Sequence, residues 1–257
     1  MYRFIDLNQL EHVLDTKSFL LKLPSTWKDK YEGFPYAKLD CEEGKRKVQT
    51  YFARHGIGFN EDIIRILKTT VYCLCFTKCR ESSAHWDAYY SHSDVVRIQV
   101  NKPNFCKEFC DGRFGVLKSV KYVVDTESEK FLMKTLKEIV LVKSARTVQT
   151  KPARGYLFKR ARQFRWEEEV RYLLYDPLNL TIPDPASNQF VFNTNPSLNR
   201  TKLKEAISRG WRCENNELVT SVLVHPDASD VFCERVEKIC ENHEISFLGK
   251  SKMNDAP

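Results

Sequence analysis

Apolar residues recur along the chain in two patterns, and the first consists of short segments rich in β-branched and aromatic side chains. Such segments are typical of β-strands when glycine, proline or polar residues bound them. The run Val-Arg-Tyr-Leu-Leu-Tyr at residues 170–175 is among the clearest. Strands are predicted at Tyr2–Ile5, Ser18–Leu23, Thr70–Thr77, Asp94–Val100, Ser119–Val124, Val170–Tyr175, Leu218–Val224 and Glu244–Leu248.

The second pattern places apolar residues three and four positions apart, as one face of an α-helix requires. Leu7, Leu10 and Leu14 follow this spacing, and Thr126 with Glu129 forms a capping box at the start of another helix. Helices are predicted at Leu7–Leu14, Glu42–Ala53, Asn60–Leu67, Thr126–Val140, Arg200–Arg209 and Ser229–Asn242.

The order of these elements predicts a single domain over residues 1–257. Two of the helices form a helical insertion at about 41–69 that covers one side of the core. The last strand, helix and strand, from Leu218 to Leu248, form a β-α-β unit. No internal repeat and no sharp change of composition divides the chain.

The composition is that of a globular protein. Of the 257 residues, 42% are hydrophobic and 29% are charged, and no apolar run approaches twenty residues. These values argue against a membrane-spanning or disordered chain. The first residues lack the basic and apolar regions of a signal peptide. We therefore expect a cytoplasmic protein that does not associate with a membrane.

The nine cysteines, an odd number, argue against a disulfide framework. Cys75 with Cys79 and Cys106 with Cys110 form C-x3-C pairs, whereas structural zinc sites commonly use C-x2-C. Cys73 and Cys75 lie in a predicted strand, where cysteine is a common core residue. We expect no metal site.

Positive charge is concentrated just before the strand at residues 170–175. The segment Lys151–Arg165 carries six positive residues and no negative one, in a chain whose formal net charge is +7. Such a segment attracts polyanions, such as nucleic acid or the pyrophosphate of a nucleotide. A solubilising surface or a docking site for an acidic protein explains it as well. The candidate nucleic-acid-binding residues are Lys159, Arg160, Arg162 and Arg165.

Three consecutive glutamates follow the basic segment, in Phe-Arg-Trp-Glu-Glu-Glu-Val-Arg at residues 164–171. Because it runs into the strand at residues 170–175, this segment is predicted to be extended rather than helical, so Glu167, Glu169 and Arg171 share one face, and Trp166, Glu168 and Val170 share the other. Two carboxylates about 7 Å apart on one face repel each other unless a cation or a ligand hydroxyl compensates. Such a pair suits catalysis, although a solvated strand face gives the same pattern.

Several motifs resemble, in their order, an uncharacterised bacterial domain family. That family has a starting Tyr-Arg, an Asn-Asp-Pro-x-Glu loop, a Trp-x-x-Tyr block and a closing Glu-x-Glu-x-Arg strand. Here Lys30 stands where the family favours proline, and no glycine follows Tyr90. The matching segments, which span most of residues 1–250, are Tyr2-Arg3, residues 29–33, residues 75–77, Trp86-x-x-Tyr89, residues 120–123, and Lys159 followed by Phe164-x-x-Glu167-x-Glu169-x-Arg171.

The same order is similar to that of the ADP-ribosyltransferase superfamily, whose toxin members use an Arg or His on the first strand and a catalytic Glu on a late one. The resemblance implies an α+β fold with a split β-sheet core, flanking helices and a C-terminal β-α-β unit. It also implies NAD as substrate, with its phosphate, carboxamide and nicotinamide bound by four residues. These cofactor-binding candidates are Arg3, Thr77, Trp86 and Tyr89.

By the same resemblance, Glu169 would hold a ribose hydroxyl and Glu167 would assist the attacking nucleophile. Cleavage of the nicotinamide–ribose bond creates an oxocarbenium-like sugar, which a carboxylate stabilises. The leading interpretation is therefore an NAD-dependent mono-ADP-ribosyltransferase that modifies RNA or DNA. Its class would be a toxin or phage-defence effector, for which an antitoxin protein is a possible partner.

Three alternatives remain open. The acceptor could be a protein, since a basic patch also binds acidic proteins. A metal-dependent nuclease could use Asp125 with Glu167 or Glu169, although the lysine expected two residues after the acid is absent. The chain could also be a non-enzymatic module that binds nucleic acid or a partner. Dinucleotide, Walker and zincin motifs are absent from the sequence.

Overall fold

A computed structural model of the chain describes residues 1–27, 41–54, 71–89, 93–110, 115–122, 158–159, 162–175, 182–183, 190–191, 206–211 and 218–253. Among these residues the strands are β1 (Tyr2–Asp6), β2 (Ser18–Lys22), β3 (Val71–Thr77), β4 (Val95–Val100), β5 (Gly115–Ser119), β6 (Lys121–Tyr122), β7 (Phe158–Lys159), β8 (Glu169–Tyr175), β9 (Ile182–Pro183), β10 (Phe190–Val191), β11 (Ala206–Gly210), β12 (Val219–Val224) and β13 (Ser246–Lys250). The α-helices are α1 (Leu7–Thr16), α2 (Glu42–Arg54), α3 (Ser83–Tyr89), α4 (Lys102–Phe109) and α5 (Asp230–Asn242), and 3-10 helices lie at Pro24–Thr26 and Arg162–Glu167.

Nine of the described strands form one open, mostly antiparallel sheet. Its main path runs β11-β2-β3-β1-β4-β12-β13, and β8 pairs with both β3 and β5. Strands β12 and β13 are parallel and are joined through α5, as the predicted β-α-β unit requires. The protein therefore has the mixed α+β architecture that was expected.

One face of this sheet carries the main hydrophobic core. Its buried side chains alternate along the strands, with Ile5 on β1, Leu74 on β3, Ile98 on β4 and Val222 on β12. Helices α1 and α5 lie against β1, β4 and β12, and α4 lies against β5. An aromatic cluster fills the space beneath α4 and consists of Phe19, Phe76, Phe105, Phe109 and Tyr172.

The opposite face of the sheet is partly polar, and it is covered in part by α3, which packs against β1. Strand register places Thr77 of β3 beside Glu169 of β8, and Phe4 of β1 beside Arg97 of β4. Arg171 is buried on the same face as Glu169, two residues along β8. The sheet thus carries an apolar core on one side and buried charged side chains on the other.

The sheet forks at β3. This strand pairs with β1 at Tyr2–Thr77 and with β2 at Lys22–Cys73, while it pairs with β8 along its whole length. Both β1 and β2 are antiparallel to β3 and are joined by α1, and they contact the same edge of β3 at two separate points. The fork lies between those two contact points.

Three predictions of secondary structure were wrong. A helix was predicted at Arg200–Arg209, but the described end of this range belongs to strand β11. This strand pairs with β2, and the Ser208 and Ser18 hydroxyl oxygens lie 2.7 Å apart. Pairing with a distant strand overrides the local helical spacing there. The strand predicted at Ser119–Val124 divides instead into the end of β5 and the short β6.

The third correction concerns the acidic segment. Residues Trp166 and Glu167 belong to a 3-10 helix, and β8 begins only at Glu169. Glu168 between them has a positive φ of 43°, which breaks the strand alternation. Glu167 therefore does not share a strand face with Glu169 and Arg171, contrary to the prediction.

The remaining strand and helix predictions that fall on described residues are confirmed to within a few residues at their ends. Helix α2 lies in the predicted helical insertion. The helices predicted at Asn60–Leu67 and Thr126–Val140 lie outside the described residues. Within the described ranges, no helix has both the length and the apolar character needed to cross a membrane.

Candidate active site

A row of side chains crosses the polar face of the sheet where β1, β3 and β8 meet. Thr77 pairs with Tyr2 on one side and with Glu169 on the other. Directly paired residues on neighbouring strands hold their Cβ atoms about 4.5–5.5 Å apart, on one face. The register therefore brings Glu169, predicted as catalytic, next to Thr77, predicted to bind the carboxamide.

Glu169 and Arg171 form a buried, two-pronged ion pair. Arg171 Nε donates to Glu169 Oε1 at 2.7 Å, and Nη2 donates to Oε2 at 3.0 Å. Glu169 is 3% exposed and Arg171 is 0% exposed, and the Trp27 ring lies 5.1 Å from the guanidinium carbon. Of the two compensating groups that were predicted, a cation or a ligand hydroxyl, Arg171 provides the cation for Glu169. The ion pair fixes the orientation of the Glu169 carboxylate.

The backbone on either side of Glu169 is also held in place. Its N–H donates to the Tyr122 hydroxyl at 3.1 Å, and its carbonyl accepts from the Val120 N–H at 2.9 Å. The Lys78 N–H donates to the carbonyl of Glu168, the residue with positive φ. These contacts come from the residue after β3, from β6 and from the residue before β6, and together they define where β8 begins.

Glu167, the second predicted catalytic residue, is buried at the end of the 3-10 helix. Its carbonyl oxygen accepts a 2.6 Å hydrogen bond from the Thr77 hydroxyl and lies 3.5 Å from His85 Nε2. Because a carbonyl oxygen only accepts, Nε2 carries the imidazole proton, and Nδ1 accepts from the Ser82 hydroxyl 2.5 Å away. The fully buried His85 ring stacks on Phe4 with its centroid 5.5 Å away.

The burial of His85 lowers its pKa below the ordinary value of 6.5, against the opposing effects of the Glu167 carbonyl and the Glu168 charge. The imidazole is therefore neutral near neutral pH, in agreement with its hydrogen-bond pattern. The sequence did not indicate a functional role for His85, because a lone histidine beside a tryptophan gives no signal of a contact with a segment about eighty residues away.

Arg3 lies in the fork of the sheet. Its Nη1 donates to the Cys75 carbonyl oxygen at 2.7 Å, at a level of β3 between the contacts with β1 and β2. A cavity of about 180 Å³ beside β1 and β3 is lined by Arg3 together with Thr77, Phe4 and Lys22. A second cavity, of about 200 Å³ and largely apolar, is lined by Arg3 and by residues of α1 and β2. Arg3 thus lines both cavities, and strand alternation places it on the face of β1 that carries Ile5, opposite Tyr2 and Phe4.

Trp86 and Tyr89 both belong to α3. Trp86 is buried, its ring packs edge-on against Phe4 at 4.7 Å, and its indole N–H donates to Glu81 Oε1 at 3.1 Å. It is therefore one side chain removed from the cavity that Phe4 lines. Tyr89 is the last residue of α3, and its side chain lies outside the described part of the structure.

A second buried cation, Arg97, went unrecognised in the sequence. Its Nη1 donates to the Arg80 carbonyl at 2.5 Å and lies 3.6 Å from Glu81 Oε2, while its guanidinium stands 4.7 Å above the Tyr2 ring. Burial lowers the pKa of Arg97 from its usual value, and Glu81 opposes that effect. The available signal was an arginine inside the apolar strand Val-Val-Arg-Ile-Gln-Val.

The four predicted nucleic-acid-binding residues are described to different extents. Arg165 is exposed on the 3-10 helix, and Arg162 begins that helix. Lys159 lies in β7, whose backbone pairs with Tyr122 of β6. Arg160 lies outside the described residues, as does Asp125 of the nuclease alternative. Within the described ranges, no group of three or more His, Cys, Asp or Glu side chains is arranged to hold a metal ion.

No protein-family model, no curated protein and no solved structure matches this chain.

Proposed function

We propose that this protein is an NAD-dependent mono-ADP-ribosyltransferase that transfers ADP-ribose to nucleic acid. The observation that carries the proposal is that Thr77, which has Glu169 in register beside it, lines a cavity in the fork of the sheet, and that Arg3, although it alternates to the other face of β1, lines the same cavity. These are the phosphate, carboxamide and ribose positions that the ADP-ribosyltransferase resemblance implies. The fork supports a split-sheet core of that superfamily.

The reaction breaks the bond between the nicotinamide nitrogen and C1′ of the ribose, and the bonding electron pair leaves with nicotinamide. Positive charge then develops on the sugar, where an anionic group that already holds a fixed position stabilises it. Glu169 has this character, because Arg171 fixes its carboxylate through two hydrogen bonds. The carboxylate would accept a hydrogen bond from a ribose hydroxyl.

A nucleophile of the acceptor then forms the new bond to C1′ and loses its proton. Glu167 is the proposed proton acceptor, and the Thr77 hydroxyl fixes its backbone beside Glu169. The Arg3 guanidinium presents a planar donor suited to the NAD phosphates. The cavity of about 180 Å³ is smaller than the 300–1,000 Å³ typical of complete ligand sites, so it corresponds to one part of the dinucleotide.

The proposed biological class follows from the reaction and the basic segment. An intracellular enzyme that modifies RNA or DNA would act as a toxin or phage-defence effector in the cytoplasm. Such an enzyme calls for a neutralising antitoxin protein in the cell that makes it. Co-expression with genes for candidate inhibitors would test this role after the activity itself has been measured.

The activity is tested by incubating the purified protein with NAD labelled in its adenylate part and, in turn, with total RNA, single-stranded DNA and cell lysate. We expect label on nucleic acid and release of nicotinamide. Glu169→Gln should abolish both, whereas Glu241→Gln, an exposed glutamate on α5, should leave both unchanged. Circular dichroism must show that each variant is folded.

Three results would contradict the proposal in different ways. Absence of both label transfer and NAD loss from the folded protein would refute the enzyme class. Label on lysate proteins alone would replace nucleic acid by a protein acceptor. Cleavage of nucleic acid that needs a divalent metal and ignores NAD would favour the nuclease alternative.

A further inference from the structure

We propose that Trp166 is a stacking platform for an unpaired base of a single-stranded nucleic acid. The inference rests on the proposed function, since it names how the acceptor would be held. It concerns a residue to which neither the motifs nor the resemblance gave a role. The platform lies directly before Glu167, so a base on it would lie beside the acidic segment of the candidate site.

The Trp166 ring is partly exposed and rigidly backed. It is 38% exposed, although tryptophan side chains are highly buried on average. Its ring meets the His85 imidazole at 5.0 Å with an interplanar angle of 78°, which is an edge contact. His85 is itself fully buried and stacked on Phe4. A ring held on a buried neighbour loses little conformational entropy when a ligand stacks on it.

The surroundings of Trp166 suit a polyanion. Arg165 is exposed on the same 3-10 helix, and Lys121 is exposed on β6, which packs against that helix. The sequence that precedes Trp166, Lys151–Arg165, carries six positive residues and no negative one. Glu168 adds one exposed carboxylate on the following turn. This excess of positive charge favours a polyanion such as nucleic acid over a protein surface that carries charges of both signs.

The aromatic contact also links the platform to the cavity. Trp166 touches His85, His85 stacks on Phe4, and Phe4 lines the cavity that contains Arg3 and Thr77. Trp166 is therefore two buried side chains, His85 and Phe4, away from the cavity. The base must be unpaired, because a base inside a duplex has both faces covered by its neighbours.

The test measures binding without NAD, by fluorescence anisotropy of labelled oligonucleotides of about 12 residues, a length within the usual site sizes. Single-stranded RNA, single-stranded DNA and a duplex of the same sequence are compared at two salt concentrations. Trp166→Ala should weaken binding to single strands by about 5- to 150-fold, while Trp166→Phe should retain most of it. Leu248→Ala, which truncates another exposed apolar side chain, is the control and should not change binding.

Arg165→Gln tests the electrostatic part of the platform. It should weaken binding to all single strands alike and reduce the salt slope by about 0.7, the value for one phosphate contact. Arg209→Gln, an exposed arginine on β11, is the matched control and should leave the slope unchanged.

The proposal is overturned if Trp166→Ala, with an unchanged melting temperature, binds single strands as tightly as the wild type. It is also overturned if the duplex binds as tightly as the single strands. If Trp166→Ala misfolds, Trp166→Leu decides the question instead. Leucine keeps apolar volume but cannot stack on a base, so this variant should show the weakened binding expected of Trp166→Ala. Binding is measured without NAD, whereas the enzyme class is tested by NAD turnover, so failure of the platform and failure of the enzyme class give different results.

Discussion

The Glu169–Arg171 ion pair makes a strong prediction about stability. Replacing Arg171 by methionine removes the guanidinium and leaves a similar volume of apolar side chain in the same space. The Glu169 carboxylate then remains at 3% exposure without the two hydrogen bonds of 2.7 and 3.0 Å that Arg171 supplied. Breaking a buried pair in this way typically costs about 3–5 kcal/mol, because a charge is left in a poorly solvated position.

This loss is large beside the total stability of a domain, which is about 5–15 kcal/mol. We therefore expect Arg171→Met to fall near the limit of stable folding. The double variant Glu169→Leu/Arg171→Met removes both charges and fills the site with apolar groups. Replacing a whole buried pair is often close to neutral, so the double variant should regain most of the loss. The two substitutions should thus couple by at least about 2 kcal/mol.

The assay is equilibrium unfolding in urea of the wild type, the two single variants and the double variant. The midpoint concentrations and the slopes give the four free energies that a double-mutant cycle needs. Lys250→Met provides a matched control, because Lys250 and Asp230 also approach to 2.7 Å but lie on the surface. The control should shift the midpoint much less, since surface pairs contribute little.

Two outcomes would refute this reasoning. An Arg171→Met variant that unfolds at the wild-type midpoint would mean that the buried carboxylate is already compensated without the guanidinium. A double variant as unstable as Arg171→Met would mean that packing of the long side chains, including the contact with Trp27, accounts for the loss.

Two further predictions concern the neighbourhood of the site. Burial lowers the pKa of His85 below 6.5, so the unfolded chain binds a proton that the folded chain resists, and stability should fall as pH drops below about 6.5. His85→Phe should lose less stability than the wild type between about pH 7.5 and 5.5 in urea titrations, and parallel pH profiles would contradict this. Gly115→Ala should lower the free energy of unfolding by about 1–3 kcal/mol, because the added methyl would overlap the Phe109 carbonyl and the Tyr172 hydroxyl. Gly210→Ala, with its nearest atom 3.6 Å away, is the control, and an equal effect in both would count against the packing argument.

The local pattern of the sequence predicts the strands that have a clear apolar or alternating face. Strands β3, β4 and β12 were found in this way, because each is buried in the centre of the sheet and its composition reflects that burial. Strand β11 was missed because its pairing partner, β2, lies almost 190 residues earlier. No local spacing of side chains records a partner at that distance.

In the candidate site, too, the features that depend on local spacing were predicted and the others were not. Glu169 and Arg171 could be paired from their spacing of two, and the structure brings them together. The placement of Glu167 was wrong because a positive φ at Glu168 has no reliable signature in glutamate, a residue that seldom adopts it. The fork that contains Arg3 could not be derived from local pattern, since it arises where two strands meet the edge of a third.

Glu169 has one role in folding and one proposed role in the transfer reaction, and experiments can separate the two. As a partner of Arg171 it contributes to folding, and as the proposed ribose-binding carboxylate it acts in transfer. If the role is structural alone, the double variant Glu169→Leu/Arg171→Met should regain both stability and whatever activity the wild type has. If Glu169 stabilises the charged sugar, the double variant should fold yet show no transfer from NAD, because no carboxylate remains at that position. A folded and inactive double variant therefore gives stronger support for catalysis than the single Glu169→Gln substitution, in which a damaged ion pair accompanies the loss of charge.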